Sequence, residues 1–264
     1  MKLKKHLGQH LLVASGVLNR ITQLIDPKDG DILVEIGPGT GNLTKKILTY
    51  PFKALHLLEI DPDMIRSLKE NIKDPRVVIH EADAVGFDFC SLGENLKVFG
   101  NLPYNVASLI VENTVFYHRC IPQAIYMLQK EVAEKIQKGP SWLSTFVRTF
   151  YKVEYLMSIP SRFFYPKPKV QSGLIRLTRK EDAPKVDLKD YKNFLTRLYS
   201  MRRKAIKHKL PEEVLLELSI DPMCRVESLD PEKLLLIYNI QQKVGRTKAI
   251  HHRRNKACYR FLQG

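Results

Sequence analysis

The chain has 264 residues, 44% of them hydrophobic, enough to bury a core without covalent staples. Forty-three Lys and Arg face 28 Asp and Glu, a formal charge of +15 that points to a polyanionic partner, most simply nucleic acid. Cys90, Cys120, Cys224 and Cys258 form no CxxC pair, which argues against structural zinc or a disulfide framework and for a reducing, cytoplasmic setting.

The basic start, Met1 to Leu12, has an apolar run that ends at Gly16 and Asn19, and reads as neither signal peptide nor membrane span. Val17, Leu18, Ile21, Leu24 and Ile25 keep helical spacing behind Ser15, a candidate N-cap. Ile32 to Ile36 reads as a buried strand entering the turn Gly37-Pro38-Gly39-Thr40-Gly41. A helix through Leu43, Ile47 and Leu48 follows, then a strand over Ala54 to Ile60. Asp61 caps the next helix, with Pro62 at its first position. Val77 to Ile79 and Val98-Phe99 are short strands, Ser108 to Phe116 a helix and Ala124 to Leu128 a strand. Strands alternating with helices predict a mainly parallel, doubly wound α/β sheet. Beyond Pro184 helices dominate: Leu188 to Ser200, Lys204 to Lys209, Glu212 to Leu218 and Pro231 to Gln242. Residues 1–183 therefore read as one α/β domain and 184–243 as a small all-α domain. Residues 244–264 form a basic tail, either a flexible arm or an artefact. Two stretches, Tyr155 to Lys180 and Arg197 to Lys209, each hold six Lys or Arg and no acid.

A strand, glycine turn and helix, with a carboxylate about 20 residues on, form a nucleotide-binding unit, and Glu59 stands 22 residues after Gly37. Asn42 occupies the place of the third glycine in the dinucleotide fingerprint, which counts against a nicotinamide cofactor. S-adenosylmethionine has no phosphate and needs close backbone approach at Gly37 and Gly39, acceptors for its ribose from Glu59 and one for its adenine from Asp83. Alone, each is a turn residue or a surface carboxylate; together, on successive strand ends, they read as a cofactor site.

Asn101-Leu102-Pro103-Tyr104 follows the fourth strand at the sheet edge where α/β ligands bind. An adenine amine is a poor nucleophile, because its lone pair is delocalised into the ring. Acceptors for both of its N–H groups favour a pyramidal nitrogen. The Asn101 side chain and the Leu102 or Pro103 carbonyl suit that task, and Tyr104 offers a flat face to the ring.

These segments resemble the family of ribosomal RNA adenine dimethyltransferases acting on two adjacent adenines near the small-subunit RNA 3′ end. The likeness runs through Leu7-Gly8-Gln9-His10-Leu11-Leu12, Glu35 to Gly41, Leu58 to Asp61, Asp83-Ala84 and Phe99 to Asn105. It continues through Leu128 to Glu131, Pro166 to Val170 and Arg202-Arg203-Lys204. It implies a Rossmann-like class I methyltransferase fold, S-adenosylmethionine as cofactor and no metal. The partner implied is rRNA in a small-subunit precursor, bound by a chain that is monomeric when free and needs no membrane. His10, Leu12, Gly37, Gly39, Glu59, Asp83 and Asn101 would contact the cofactor, and Phe164 would stack on the target base opposite Tyr104. Arg162, Lys167 and Lys169, and in the helical domain Arg202, Arg203, Lys204 and Lys207, would hold RNA. His10, Leu11 and Gln171 depart from the family's usual Asn, Phe and Asp. A large-subunit methyltransferase of the resistance type and a non-catalytic RNA-binding assembly factor are the alternative readings.

Overall fold

The computed structural model describes residues 10–243; the tail and residues 7–9 of the amino-terminal motif lie outside them. In chain order the elements are β1 (Leu11–Leu12), α1 (Ser15–Ile25), β2 (Ile32–Ile36), α2 (Asn42–Ile47), β3 (Ala54–Glu59) and α3 (Pro62–Asn71). Then come β4 (Val77–Glu81), β5 (Leu96–Asn101), α4 (Ala107–Phe116), β6 (Gln123–Gln129), α5 (Lys130–Lys138) and α6 (Trp142–Phe150). They are followed by β7 (Tyr151–Ile159), β8 (Phe164–Tyr165), β9 (Ser172–Arg179), α7 (Leu188–Ser200), α8 (Glu212–Glu217) and α9 over 231–243.

Two compact units emerge. The first runs to Gly139 and resumes over Phe146–Pro184; the second takes Pro140–Thr145 and the chain from Lys185. In the first unit seven strands lie in the order β4-β3-β2-β5-β6-β9-β7. β4 through β6 are parallel, while β9 pairs antiparallel with both β6 and β7. From β2 the chain winds outward to β3 and β4, whereas β5 and β6 lie on its other side. The adjoining ends of β2 and β5 are therefore the topological switch point, where open α/β sheets hold ligands. Ile36 pairs with Gly100 there. A Cβ at Gly100 would collide with the Ile36 carbonyl, so only glycine lets the two strand ends close.

β7 to β9 were not foreseen as strands. They extend the sheet and change the meaning of the basic stretch around them. Arg176 donates to the Leu24 carbonyl at 3.0 Å and Arg179 to the His118 carbonyl at 3.1 Å, so both tie the sheet to its surroundings. Arg162, Lys167 and Lys169 remain exposed in the loop between β7 and β9.

Three further expectations are corrected. Ala14, not Ser15, is the N-cap of α1, and no side chain caps it; the Ala14 backbone is extended and its carbonyl already accepts the Leu18 N–H at 3.0 Å, so the helix begins one residue early. Lys204 to Lys209 is not a helix but a single 3-10 turn, Ile206–His208, because Ala205 bridges to Arg225 and Ile206 N–H donates to the Cys224 carbonyl. Cys90 and Cys120 form a disulfide with Cα atoms 5.5 Å apart. Folding brings the turn after β4 against the end of α4, and a separation of 30 residues carries no signal of it. Asp61 does cap α3, accepting from Asp63 N–H at 3.1 Å.

The second unit is helical. Tyr191, Phe194, Leu195, Leu198 and Tyr199 line the buried face of α7, and Asp187 caps it by accepting from Asp190 N–H. Tyr191 and Phe194 pack on Tyr238 of α9, whose hydroxyl donates to Asp190 at 2.9 Å.

His56 and His80, on neighbouring strands, share a hydrogen bond of 2.9 Å, and burial lowers both pKa values; burial does the same to His118. A lowered folded pKa means that the unfolded chain binds more protons, so this stability is complete above about 6.5 and is lost as the pH falls. Thermal melts from neutral to mildly acidic pH should show the loss, and a His56→Gln/His80→Gln pair should flatten it; an unchanged slope would contradict this origin.

Candidate active site

Three adjoining hollows open at the switch point. Gly37 borders all of them, and Glu59 borders the outer two. Gly37, Gly39 and Gly41 have φ of 63°, 55° and 75°, the left-handed region that favours glycine, so the turn lays bare backbone against the cleft. A Cβ at Gly39 would also lie 2.7 Å from Leu11 Cδ2.

Glu59 is 5% exposed, and burial raises its pKa. Its Oε1 accepts the Ile60 and Asp61 N–H groups and its Oε2 accepts Gly39 N–H at 3.1 Å. Each carboxylate oxygen has two acceptor positions, so the capacity left for a ribose diol lies mainly on Oε2. The hollow beyond Glu59 is bordered by Ile36, Ile60, Asp83, Ala84 and Ile110, a slot for a flat ring. Asp83 accepts Val85 N–H through Oδ1, which fixes the carboxylate and leaves its other oxygen for an amine. Asn113 of α4 steadies this loop by donating to the Ala84 and Phe87 carbonyls. Bare glycine backbone, a ribose acceptor and an amine acceptor in this order fit S-adenosylmethionine.

On the other side of Glu59, His10, Leu11, Asn101, Leu102, Pro103 and Tyr104 line the second hollow. Asn101 Nδ2 donates to the His10 carbonyl at 2.6 Å. A carbonyl only accepts, so the amide orientation is determined and Oδ1 is left as an acceptor. The Pro103 carbonyl accepts Val106 N–H at 3.1 Å, so one of its two acceptor positions is used in holding the turn. Tyr104 shares a 2.7 Å hydrogen bond with Ser172, burial raises its pKa, and its ring lies 5.5 Å from that of His10. His10 Nδ1 is 2.7 Å from the Pro166 carbonyl and so carries a proton.

Most of the residues expected at the cofactor and base meet here. Leu12 borders the inner hollow, and its carbonyl accepts from Asn42 at 3.0 Å. Phe164, expected against the target base, is 4% exposed and packs in the core, paired with Leu12 across the β1–β8 ribbon. Sequence reasoning missed Asn42 as a tie, Leu11 as the cover of Gly39 and Ser172 as the partner of Tyr104. Only Asn42, standing in a glycine's place, gave a signal.

Among the basic residues, Arg202, Arg203, Lys204 and Lys207 are exposed, with Arg202 Nε 3.6 Å from Glu227. Lys209 instead donates to the Leu198 carbonyl, and burial lowers its pKa.

The sheet and cleft define a Rossmann-like class I methyltransferase. The match of residues 1–243 to the ribosomal RNA adenine dimethylase pattern is more specific: the chain belongs to that family, which uses S-adenosylmethionine. It is 40% identical over 245 residues to ribosomal RNA small subunit methyltransferase A of Persephonella marina, covering 89% of this chain and 92% of that one. The protein of the same name from a Sulfurihydrogenibium species is 39% identical over 257 residues, covering 93% and 99%. A dimethyladenosine transferase from Plasmodium falciparum has a similar crystal structure, with a TM-score of 0.79 at 26% identity, covering 89% and 98%. A 23S rRNA methyltransferase shares the fold, with a TM-score of 0.70 at 23% identity over 87% and 98%.

Glu35, 2% exposed beside the inner hollow, accepts a 2.6 Å bond from Thr44, and burial pushes its pKa up to about 8. A raised folded pKa gives stability that is complete below 4.5 and is lost as the pH rises through about 8. Glu35→Gln should therefore stabilise the fold by about 2 kcal/mol at alkaline pH and flatten the melting profile across that window. Unchanged melting at alkaline pH would contradict a buried, neutral Glu35.

Proposed function

We propose that this chain uses S-adenosylmethionine to dimethylate the 6-amino groups of two adjacent adenosines near the 3′ end of 16S rRNA during small-subunit biogenesis. The observation that carries this reading is the Asn101 amide, whose nitrogen is engaged by His10 and whose oxygen is thereby an acceptor at the cleft. Bound at Gly37, Gly39, Glu59 and Asp83, the cofactor supplies an electrophilic methyl group. Asn101 Oδ1 and the Leu102 or Pro103 carbonyl accept the two N–H groups of the amine and direct its lone pair toward that methyl. Pro103 holds the turn, Tyr104 receives the ring, and the proton leaves to water after transfer, so positioning and electrostatics do most of the work. His10 and Leu12 border the cofactor from the amino-terminal side. A paired, stacked amine cannot reach this cleft, so the adenosine is single-stranded or flipped.

The exposed Arg162, Lys167 and Lys169 of the first unit, and Arg202, Arg203, Lys204 and Lys207 of the second, hold RNA phosphates. The domains act as catalytic (1–183) and RNA-contacting (184–243) parts, in a chain that is monomeric when free and works in the cytoplasm. Among the described residues no helix is long and apolar enough to cross a membrane. The naming of the curated relatives favours the small subunit over the large, and the complete cleft speaks against a non-catalytic factor.

Incubating undermethylated small-subunit particles with labelled cofactor, then mapping the label, should place it on two adjacent 3′ adenosines; label confined to large-subunit RNA would overturn the assignment. Asn101→Ala should lower kcat by at least about a hundredfold while RNA affinity stays within about twofold. Substantial residual turnover would refute its role. Replacing Arg202 and Arg203 by Ala should flatten the salt dependence of RNA binding by about 1.5 in log–log slope. An unchanged slope would make this cluster a solvated face.

A further inference from the structure

The β1–β8 ribbon turns one of its aromatic side chains into the core and the other out to solvent. Leu12 and Phe164 oppose each other and are buried at 6% and 4%. Leu11 and Tyr165 oppose each other on the other face. Leu11 lines the hollow of Asn101, Pro103 and Tyr104, whereas Leu12 borders only the inner hollow, so the Leu11–Tyr165 face is the one toward the catalytic turn. Tyr165 stands on it 68% exposed. Its next residue, Pro166, accepts from His10, whose ring packs on Tyr104. A single exposed tyrosine is ordinary. Exposed Arg162, Lys167, Lys169 and Val170 all lie within five residues of Tyr165 in the chain, and the bond from Val13 N–H to the Phe163 carbonyl brings the exposed Val13 to the same segment. No acid occurs from residue 155 to 180.

An exposed aromatic face among cations is the arrangement that holds single-stranded nucleic acid, by base stacking and phosphate attraction together. We infer that Tyr165 is a stacking platform for the nucleobase next to the target adenine, with Lys167 and Lys169 on the adjoining phosphates. The inference rests on the RNA-dimethylase reading and adds a substrate contact to it. Stacking tolerates any base, so Tyr165 sets affinity and the path of the strand rather than sequence choice.

The test uses the full chain and a short single-stranded RNA containing two adjacent adenines, with 2-aminopurine as the neighbouring base. Tyr165→Ala should weaken binding about tenfold and abolish the quenching of 2-aminopurine; Tyr165→Phe should keep both within about twofold. S-adenosylmethionine affinity by calorimetry should be the same in all three proteins, which separates lost stacking from a disturbed fold. Equal RNA affinity and quenching in wild type and Tyr165→Ala would overturn the inference. So would a defect seen on small-subunit particles but absent on the oligonucleotide, which would mark the patch as a protein contact. Methylation of particles by the wild type is measured alongside; its absence is a failure of the dimethylase reading itself, distinct from equal affinities.

Discussion

The hydrogen bond from the Asn101 side chain to the His10 carbonyl is the constraint on which the site depends. It decides which end of the amide meets a substrate amine. It also makes catalytic geometry depend on a segment 91 residues away in sequence. That segment is held in turn by Asn42 on the Leu12 carbonyl, by Val13 N–H on the Phe163 carbonyl and by pairing of β1 with β8. One short strand thus links the start of the cofactor helix, the catalytic turn and the β7–β9 loop. Sites built this way keep polar groups in position before a ligand arrives, so little reorganisation remains for the reaction itself.

Electrostatics at the switch point follow from the same crowding. Glu35 and Glu59 are both buried at the end of β2 and β3, and desolvation raises both pKa values. Glu59 is steadied by three backbone N–H groups, whereas the side-chain bond seen at Glu35 is to Thr44. Desolvation disfavours the ionised form of both acids, and the backbone N–H groups on Glu59 work against that effect. The cofactor site therefore combines the bare glycine backbone with an acceptor, Glu59, that the same turn holds in place.

Local signals made much of the first unit legible. Gly37 to Gly41, Glu59, Asp61-Pro62, Asp83 and Asn101 to Tyr104 all sit at strand ends, where short-range chemistry and sheet topology agree. The helix Leu188–Ser200 was readable from its apolar stripe. Non-local features were not readable. Neither the ribbon of β1 with β8 nor the Cys90–Cys120 pair has a local signature, and β7 and β9 are strands defined by their neighbours. Charge counts alone do not separate residues that serve the fold: Arg176, Arg179 and Lys209, within the two acid-free stretches, bind backbone carbonyls. Phe164 shows the same limit, since the motif places it near the base but strand alternation turns it into the core.

The claim that Asn101 acts through a determined amide orientation is tested most directly by Asn101→Asp. Aspartate keeps the acceptor oxygens but cannot donate to the His10 carbonyl, and when ionised it is repelled by it. Steady-state kinetics on small-subunit particles should show kcat reduced by at least about tenfold with the RNA KM nearly unchanged. Wild-type kcat in that variant would contradict the account, because an acceptor at this position would then suffice without the tie to the amino-terminal strand.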